Sequence, residues 1–178
     1  EYKDGKLDIF EFLAFSLKPL ADNELPDLQR WHASFMQQKI LPLIGDPARA
    51  LVEKHRQAGD TLLVITATNA FVTAPIVQQF GIEHLIATQP EIIDGRYTGR
   101  VAGTPCYQEG KVERLSQWLA QHNENTDGAW FYSDSHNDLP LLRRVDHPVA
   151  VDPDQILVRE ATAAGWPIIS LHAKHAPA

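Results

Sequence analysis

The chain has 178 residues, 44% apolar and 22% charged. That is enough for a substantial core in one domain, or in a domain with a small subdomain, and it excludes wholesale disorder. The formal charge is −7, from 16 Lys and Arg against 23 Asp and Glu, which argues against a nucleic-acid backbone or an anionic membrane as the main partner. Small anionic substrates stay admissible, because a site needs only local positive charge, and an anionic protein that handles phosphates typically recruits a metal cation. The single cysteine, Cys106, permits neither an internal disulfide nor a cysteine-based zinc cluster. No run of about 18 apolar residues is present to span a membrane. A reducing, cytoplasmic location fits these features.

The first forty residues read as helical. Asp8 is placed to cap, with Glu11 as its capping-box partner. Phe10, Leu13, Leu17 and Leu20 share one helical face. Phe12 and Phe15 widen it, and Pro19 marks its end. A second helix is expected from Leu25 to Ile40, with Leu28, Trp31, Phe35 and Ile40 as its apolar set. Pro42 and Gly45-Asp46-Pro47 then punctuate the chain. Ala48 to Gln57 reads as a helix closed by Gly59.

Thr61 to Thr66 is a continuous apolar, β-rich run, the pattern of a strand buried on both faces. A helix is expected from Thr73 to Phe80, with Thr73 as N-cap and Pro75 in the first turn. His84 to Thr88 reads as a short strand. Glu91 to Val101 alternates around Asp94-Gly95, a hairpin signal. Helices at Lys111–Gln121, Leu139–Arg143 and Gln155–Ala164 alternate with strands at Ala129–Ser133, Val149–Val151 and Pro167–Leu171. In the first of these helices Val112, Leu115, Trp118 and Leu119 face inward. Such alternation means βαβ units and a mainly parallel sheet with helices on both faces. Ligands of these sheets sit at the carboxyl ends of strands, so chemistry is expected just after Ile65 and just after Tyr132.

Both strand ends are polar. Ser133-Asp134-Ser135-His136-Asn137-Asp138 puts two carboxylates four residues apart at a strand end, a hard-oxygen set suited to Mg²⁺. A helix N-cap accounts for the same residue types. Thr66-Ala67-Thr68-Asn69 offers a hydroxyl and backbone N–H groups to a phosphate oxygen, and an ordinary capped turn has the same composition. Lys111 opens a helix, where the dipole slightly disfavours a cation. It is there either as a solvated charge or to neutralise an anion.

The ordered set resembles the haloacid dehalogenase-like (HAD) phosphohydrolases of subfamily IB, whose best-known branch is the phosphoserine phosphatases. Val64-Ile65-Thr66-Ala67-Thr68 resembles the second family motif, Gly110-Lys111-Val112 the third, and Tyr132 to Leu142 the fourth, in its D-S-x-N-D form. Lys111 lies 45 positions after Thr66 and 23 before Asp134, spacings that suit the family. The resemblance covers nearly the whole chain. It implies an α/β fold, a Rossmann-like parallel sheet over residues 41–178, with a small helical cap within residues 1–40.

It also implies roles. Thr66, with Ala67 and Thr68, would bind the transferring phosphoryl group. Lys111 would pair with the phosphate and with a nucleophilic carboxylate. Asp134 would bind Mg²⁺, Asp138 would support the metal or hold Lys111, and Asn137 would orient substrate or phosphate. Thr66, Lys111 and Asp138 are thus the catalytic candidates, and Asp134 and Asp138 the metal candidates. The implied activity is Mg²⁺-dependent hydrolysis of a small phosphorylated metabolite through an aspartyl-phosphate, with phosphoserine and histidinol phosphate as candidate substrates.

The family's first motif, an apolar strand followed by D-x-D-x-T that supplies the nucleophile, has no counterpart. Asp4, Asp8, Asp22 and Asp27 follow no apolar strand. The chain begins at Glu1 without a methionine, so the motif is expected upstream, on a strand between those ending at Thr66 and Ser133. Without that strand a gap is expected at the sheet centre. Phosphoryl transfer to an acceptor other than water is one rival function. A non-catalytic domain of the same fold is another. A receiver-type signalling domain fits poorly, because it has no helical cap.

Among the eight histidines no metal-binding spacing occurs. Each is read as a surface or satisfied core histidine; His136, inside the acidic motif, has contact with substrate as a second, less common reading. Cys106 reads as structural. Arg100 is either solvated or within reach of a substrate carboxylate.

Overall fold

The computed structural model describes residues 9–172, apart from the side chain of Phe10. The capping expected of Asp8 lies outside them. These residues fall into two compact units, 9–43 with 62–107, and 44–61 with 108–172.

In the first unit, α1 (Ile9–Asp22) and α2 (Leu25–Phe35) precede a π-turn at Met36–Ile40 and a 3₁₀ turn at Leu41–Leu43. Leu13, Leu17 and Leu20 of α1 are buried. Leu17 and Leu20 join Leu28 of α2, with Phe71, Tyr97 and Val101 packed against them. The expected widening of this face does not occur: Phe12 is 43% and Phe15 78% exposed. Phe15 stands two residues from both Leu13 and Leu17, about 200° round the helix, so it points away from the buried stripe. Trp31 and Phe35 are also exposed, and α2 buries Leu28 alone. Pro19 does not end α1. The helix runs one turn further, to Asp22, where Lys18 pairs with Asp22 and Asn23 Nδ2 donates to the Pro19 carbonyl at 2.8 Å.

After α3 (Asp46–Ala58), which belongs to the second unit, come β1 (Leu63–Asn69), α4 (Ala70–Gln78), β2 (His84–Thr88), β3 (Pro90–Ile93) and β4 (Arg96–Val101). β1 and β2 pair in parallel, and β3 and β4 antiparallel. Asp94 and Gly95, both at positive φ (51° and 77°), make the tight turn that the hairpin needs. At Gly99 (φ 79°) a Cβ would lie 3.3 Å from Ala21 Cβ, so the glycine lets α1 approach β4.

α4 begins three residues before the expected Thr73. Asn69 leaves β1 extended, and its Oδ1 accepts from Val72 N at 3.1 Å; Asn caps at least as well as Thr. Thr73 instead donates its hydroxyl to the Asn69 carbonyl, and Pro75 lies inside the helix.

The second unit holds α3, α5 (Glu109–His122), β5 (Trp130–Ser133), a 3₁₀ turn at His136–Asp138, α6 (Leu139–Leu142), β6 (His147–Val151), α7 (Gln155–Ala164) and β7 (Ile168–Ile169). Gly59, in the left-handed region, closes α3. β5, β6 and β7 form a parallel sheet in that order. Leu142, Ala150, Leu157 and Ala161 are its fully buried centre, with Phe131, Leu139 and Trp166 packed against them. Parallel strands alternating with helices make this the α/β fold expected. Among the described residues β1 pairs only with β2, and β5 only with β6, so each leaves one edge without a strand partner.

Candidate active site

The acidic segment after β5 is built from short hydrogen bonds within the second unit. Asp138 Oδ1 accepts from the Lys111 ammonium at 2.5 Å. Its Oδ2 accepts from Ser133 Oγ at 2.7 Å. Lys111 is 7% and Asp138 7% exposed, so the pair is taken almost wholly from water. A lysine in the first turn of α5 opposes the helix dipole, and Asp138 supplies the counter-charge that keeps it there.

Asp134 differs. It is exposed, and its carboxylate has no partner among the described residues, while its carbonyl accepts from Asp154 N at 2.8 Å. No group of three His, Cys, Asp or Glu that could hold a metal occurs among the described residues. The donor chemistry at this strand end is one unpaired hard-oxygen carboxylate. That fits Mg²⁺, which takes one or two carboxylates and keeps several waters or substrate oxygens. Asp138, with both oxygens engaged, is less available.

Asn137 is 6% exposed. Its Oδ1 accepts from Gln108 Nε2 at 3.1 Å, and its Nδ2 donates to Ser135 Oγ at 3.2 Å. Gln108, the residue before α5, has φ 45° and ψ −116°. Such backbone is costly for a side chain with a Cβ, and it gathers at functional sites.

His136 meets Asp154. Both its backbone N–H and its ring Nδ1 lie 2.8 Å from Asp154 Oδ2. Asp154 Oδ1 accepts from Ile156 N and Leu157 N at 2.9 Å, capping α7. Burial raises the Asp154 carboxyl, but the hydrogen bonds from His136 and Leu157 outweigh it and hold the group below the usual carboxylate range.

Asp152-Pro153-Asp154 follows β6 as a D-x-D pair. Both carboxylates are committed: Asp154 as just described, and Asp152 to Leu171 N at 2.9 Å. The Asp152 carboxyl is lowered by hydrogen bonds from Ser170 and the Leu171 N–H.

In the first unit, the end of β1 carries Thr66, Ala67 and Thr68. Thr66 Oγ1 accepts from Thr68 N at 3.2 Å, and Asn69 caps α4. The turn is thus both capped and polar. Cys106 is fully buried, its Sγ donating to the Ile86 carbonyl at 3.6 Å. Arg100 is neither free nor poised: it forms a pair with Glu91 at 2.8 Å. His55 is a satisfied core histidine, between Asp60 (2.6 Å) and the Tyr132 hydroxyl (2.7 Å).

The structure thus brings Lys111, Asp138, Ser133, Asn137 and Gln108 together, and sets Asp134 beside them in sequence. Sequence reasoning passed over Ser133, Gln108, Thr88 and Asp154. Ser133 stands within the acidic segment itself, and Asp154 is a capping residue type immediately before the expected α7; Gln108 and Thr88 left no local signal.

A family described as haloacid dehalogenase-like hydrolase matches residues 2–143. A protein of Neisseria meningitidis serogroup C named histidinol-phosphatase is 48% identical over 174 residues, which are 96% of this chain and 78% of the relative. A crystal structure of a protein of unknown function from Bordetella pertussis superposes with a TM-score of 0.92 at 45% identity, over 96% of this chain and 78% of that one. A substrate-bound phosphoserine phosphatase shares the fold, with a TM-score of 0.69 at 19% identity over 94% of this chain and 74% of its own. Other relatives are longer: the chain spans 45% of one from Mycobacterium tuberculosis that is 36% identical over 131 residues. The chain belongs to the haloacid dehalogenase-like hydrolase family.

Proposed function

We propose that the protein is a Mg²⁺-dependent phosphomonoesterase of the cytoplasm that hydrolyses a small phosphorylated metabolite, with histidinol phosphate ahead of phosphoserine as substrate. The observation that carries this is the buried Lys111–Asp138 pair. A desolvated cation held at a strand end is a ready counter-charge for a phosphoryl group, and electrostatic preorganisation of this kind is the main source of phosphoryl-transfer catalysis. The order of substrates follows the relative named histidinol-phosphatase, 48% identical over 96% of the chain.

In this assignment Lys111 neutralises the phosphate, and Asp138 fixes the direction of the ammonium. The Thr66 hydroxyl and the backbone of Ala67 and Thr68 hold phosphate oxygens. Asn137 orients the substrate. Asp134 holds Mg²⁺, with Asp138 behind it, and the bound ion would neutralise charge developing on the phosphate. The nucleophilic aspartate, which takes the phosphoryl group as an aspartyl-phosphate before water releases it, is assigned to a strand paired on the open edge of β5. Residues 1–40 are assigned to the helical cap and 41–178 to the core, and an enclosing cap limits the substrate to a small one.

The test is phosphate release by the full-length protein from histidinol phosphate, phosphoserine and p-nitrophenyl phosphate, with Mg²⁺ and with chelator. Release that needs Mg²⁺ and favours histidinol phosphate by about tenfold or more in kcat/KM, or ~1.4 kcal/mol of transition-state binding, is expected. No release from any of the three with Mg²⁺ present would refute the assignment. Phosphate transferred to an added alcohol in preference to water would make it a phosphotransferase.

A further inference from the structure

We propose that Thr88 is a positioning residue for phosphate binding: its buried hydroxyl holds the 66–69 turn in the shape that receives a phosphate oxygen. This rests on the phosphatase assignment above. β1 and β2 stay in step from Leu63 opposite His84 to Thr66 opposite Ala87, and the next pair is Asn69 with Thr88. Ala67 and Thr68 therefore have no partner on β2 and bulge from the ladder, at the strand end assigned to phosphate. Bulges beside sites re-aim side chains and end pairing.

A carbonyl displaced from a ladder needs another donor. Thr88 Oγ1 donates to the Ala67 carbonyl at 2.8 Å, and the same oxygen accepts from Cys106 N at 3.1 Å. A hydroxyl has one proton, so the N–H arriving from Cys106 directs that proton at Ala67. Thr88 is 1% and Cys106 0% exposed, which leaves no room for water to replace either bond. Within the turn Thr66 Oγ1 accepts from Thr68 N. The turn is thus held by two threonine hydroxyls: Thr66, assigned to phosphate in the proposed site, and the buried Thr88, bonded to the Ala67 carbonyl.

Thr88→Val keeps the shape and removes both bonds; Thr88→Ser keeps the hydroxyl. Ile86→Val trims a neighbouring buried side chain without touching the Ala67 carbonyl. The experiment is competition by inorganic phosphate against turnover in the full-length protein, with hydrogen exchange of residues 66–69 and thermal unfolding measured alongside. Expected for Thr88→Val is an inhibition constant raised about tenfold, or ~1.4 kcal/mol, a KM raised in step, kcat changed less, and faster exchange across 66–69. Thr88→Ser returns the constant to within about threefold, or ~0.7 kcal/mol. Ile86→Val lowers the unfolding temperature with phosphate affinity unchanged. A Thr88→Val protein that binds phosphate as the wild type does overturns the inference and leaves the phosphatase assignment standing. So does an Ile86→Val protein that loses phosphate affinity as much. A wild-type protein without phosphatase activity overturns both.

Discussion

Removing either member of the Lys111–Asp138 pair is expected to destabilise the protein more than removing both. At 2.5 Å the gross attraction of two unit charges is about 7 kcal/mol at an effective dielectric constant near 20. Against it stands a desolvation cost of several kcal/mol for each ion, nearly all of it incurred here, because each side chain is only 9% exposed. The intact pair therefore contributes little net stability. Asp138→Asn leaves the ammonium buried without a counter-charge, and Lys111→Met leaves the carboxylate so; each is expected to cost about 3–5 kcal/mol. In K111M/D138N no charge remains buried, and the amide oxygen still accepts from Ser133 Oγ. The double variant is expected to lose less than either single one.

The assay is urea unfolding of the four proteins at pH 7, reading midpoints and slopes so that a change in stability is separated from a change in the unfolded state. A loss of about 3–5 kcal/mol is a third or more of the 5–15 kcal/mol that holds a typical domain, so the midpoints should separate clearly. Single variants within about 0.5 kcal/mol of wild type would behave as surface substitutions do. Strictly additive losses would mean that the charges do not sense each other. Either result refutes the account.

Asp134→Asn is expected to abolish Mg²⁺-dependent turnover while shifting stability by no more than about 0.5 kcal/mol, since the carboxylate is exposed and has no partner among the described residues; undiminished turnover removes Asp134 as the metal residue. Thr66→Val is expected to raise KM and the inorganic-phosphate inhibition constant together, and an unchanged constant would leave the hydroxyl as a turn cap only. The Asp154 carboxyl is lowered in the folded state, so its contribution to stability is present above its unfolded value, near 3.9, and is lost as pH falls through the lower folded value. Asp154→Asn should therefore flatten the acid limb of the stability curve, and chemical unfolding from pH 6 to pH 2 checks it.

Much of the fold is legible because its signals are local. β2 and α7 fall on the residues that their patterns predict, and Asp94-Gly95 and Gly59 mark chain reversals that few other residues make as cheaply. The failures have physical causes. Apolar type does not say which face is buried: Phe12, Phe15, Trp31 and Phe35 look like core residues in sequence and stand exposed. The start of α4 is ambiguous in sequence because two capping residue types, Asn69 and Thr73, stand four positions apart, and the earlier one supplies the cap. The site divides in the same way. Lys111, Asp134 and Asp138 stand out by type and position at βα junctions. Thr88, Gln108 and Asp154 act on residues 21, 29 and 18 positions away, and no window of sequence displays such a bond.

Those distant bonds share one direction of effect: each fixes something that would otherwise move near the proposed chemistry. Asp138 holds the Lys111 ammonium, and Gln108 holds the Asn137 amide. Asp154 ties the backbone of the acidic segment to α7 through the Asp134 carbonyl and the His136 N–H. Exposed lysine and asparagine side chains would reorganise with solvent whenever a dianion arrived, and that reorganisation would add to the barrier. Groups already buried and hydrogen-bonded have met this cost during folding, so in the proposed reaction they would act on the transition state without moving. The strain at Gln108, at φ 45°, belongs to the same account. A sequence selected for stability alone would place glycine at such a position. A glutamine there gives up some stability and supplies a side chain that reaches Asn137. Stability is exchanged for placement in this way at functional sites generally.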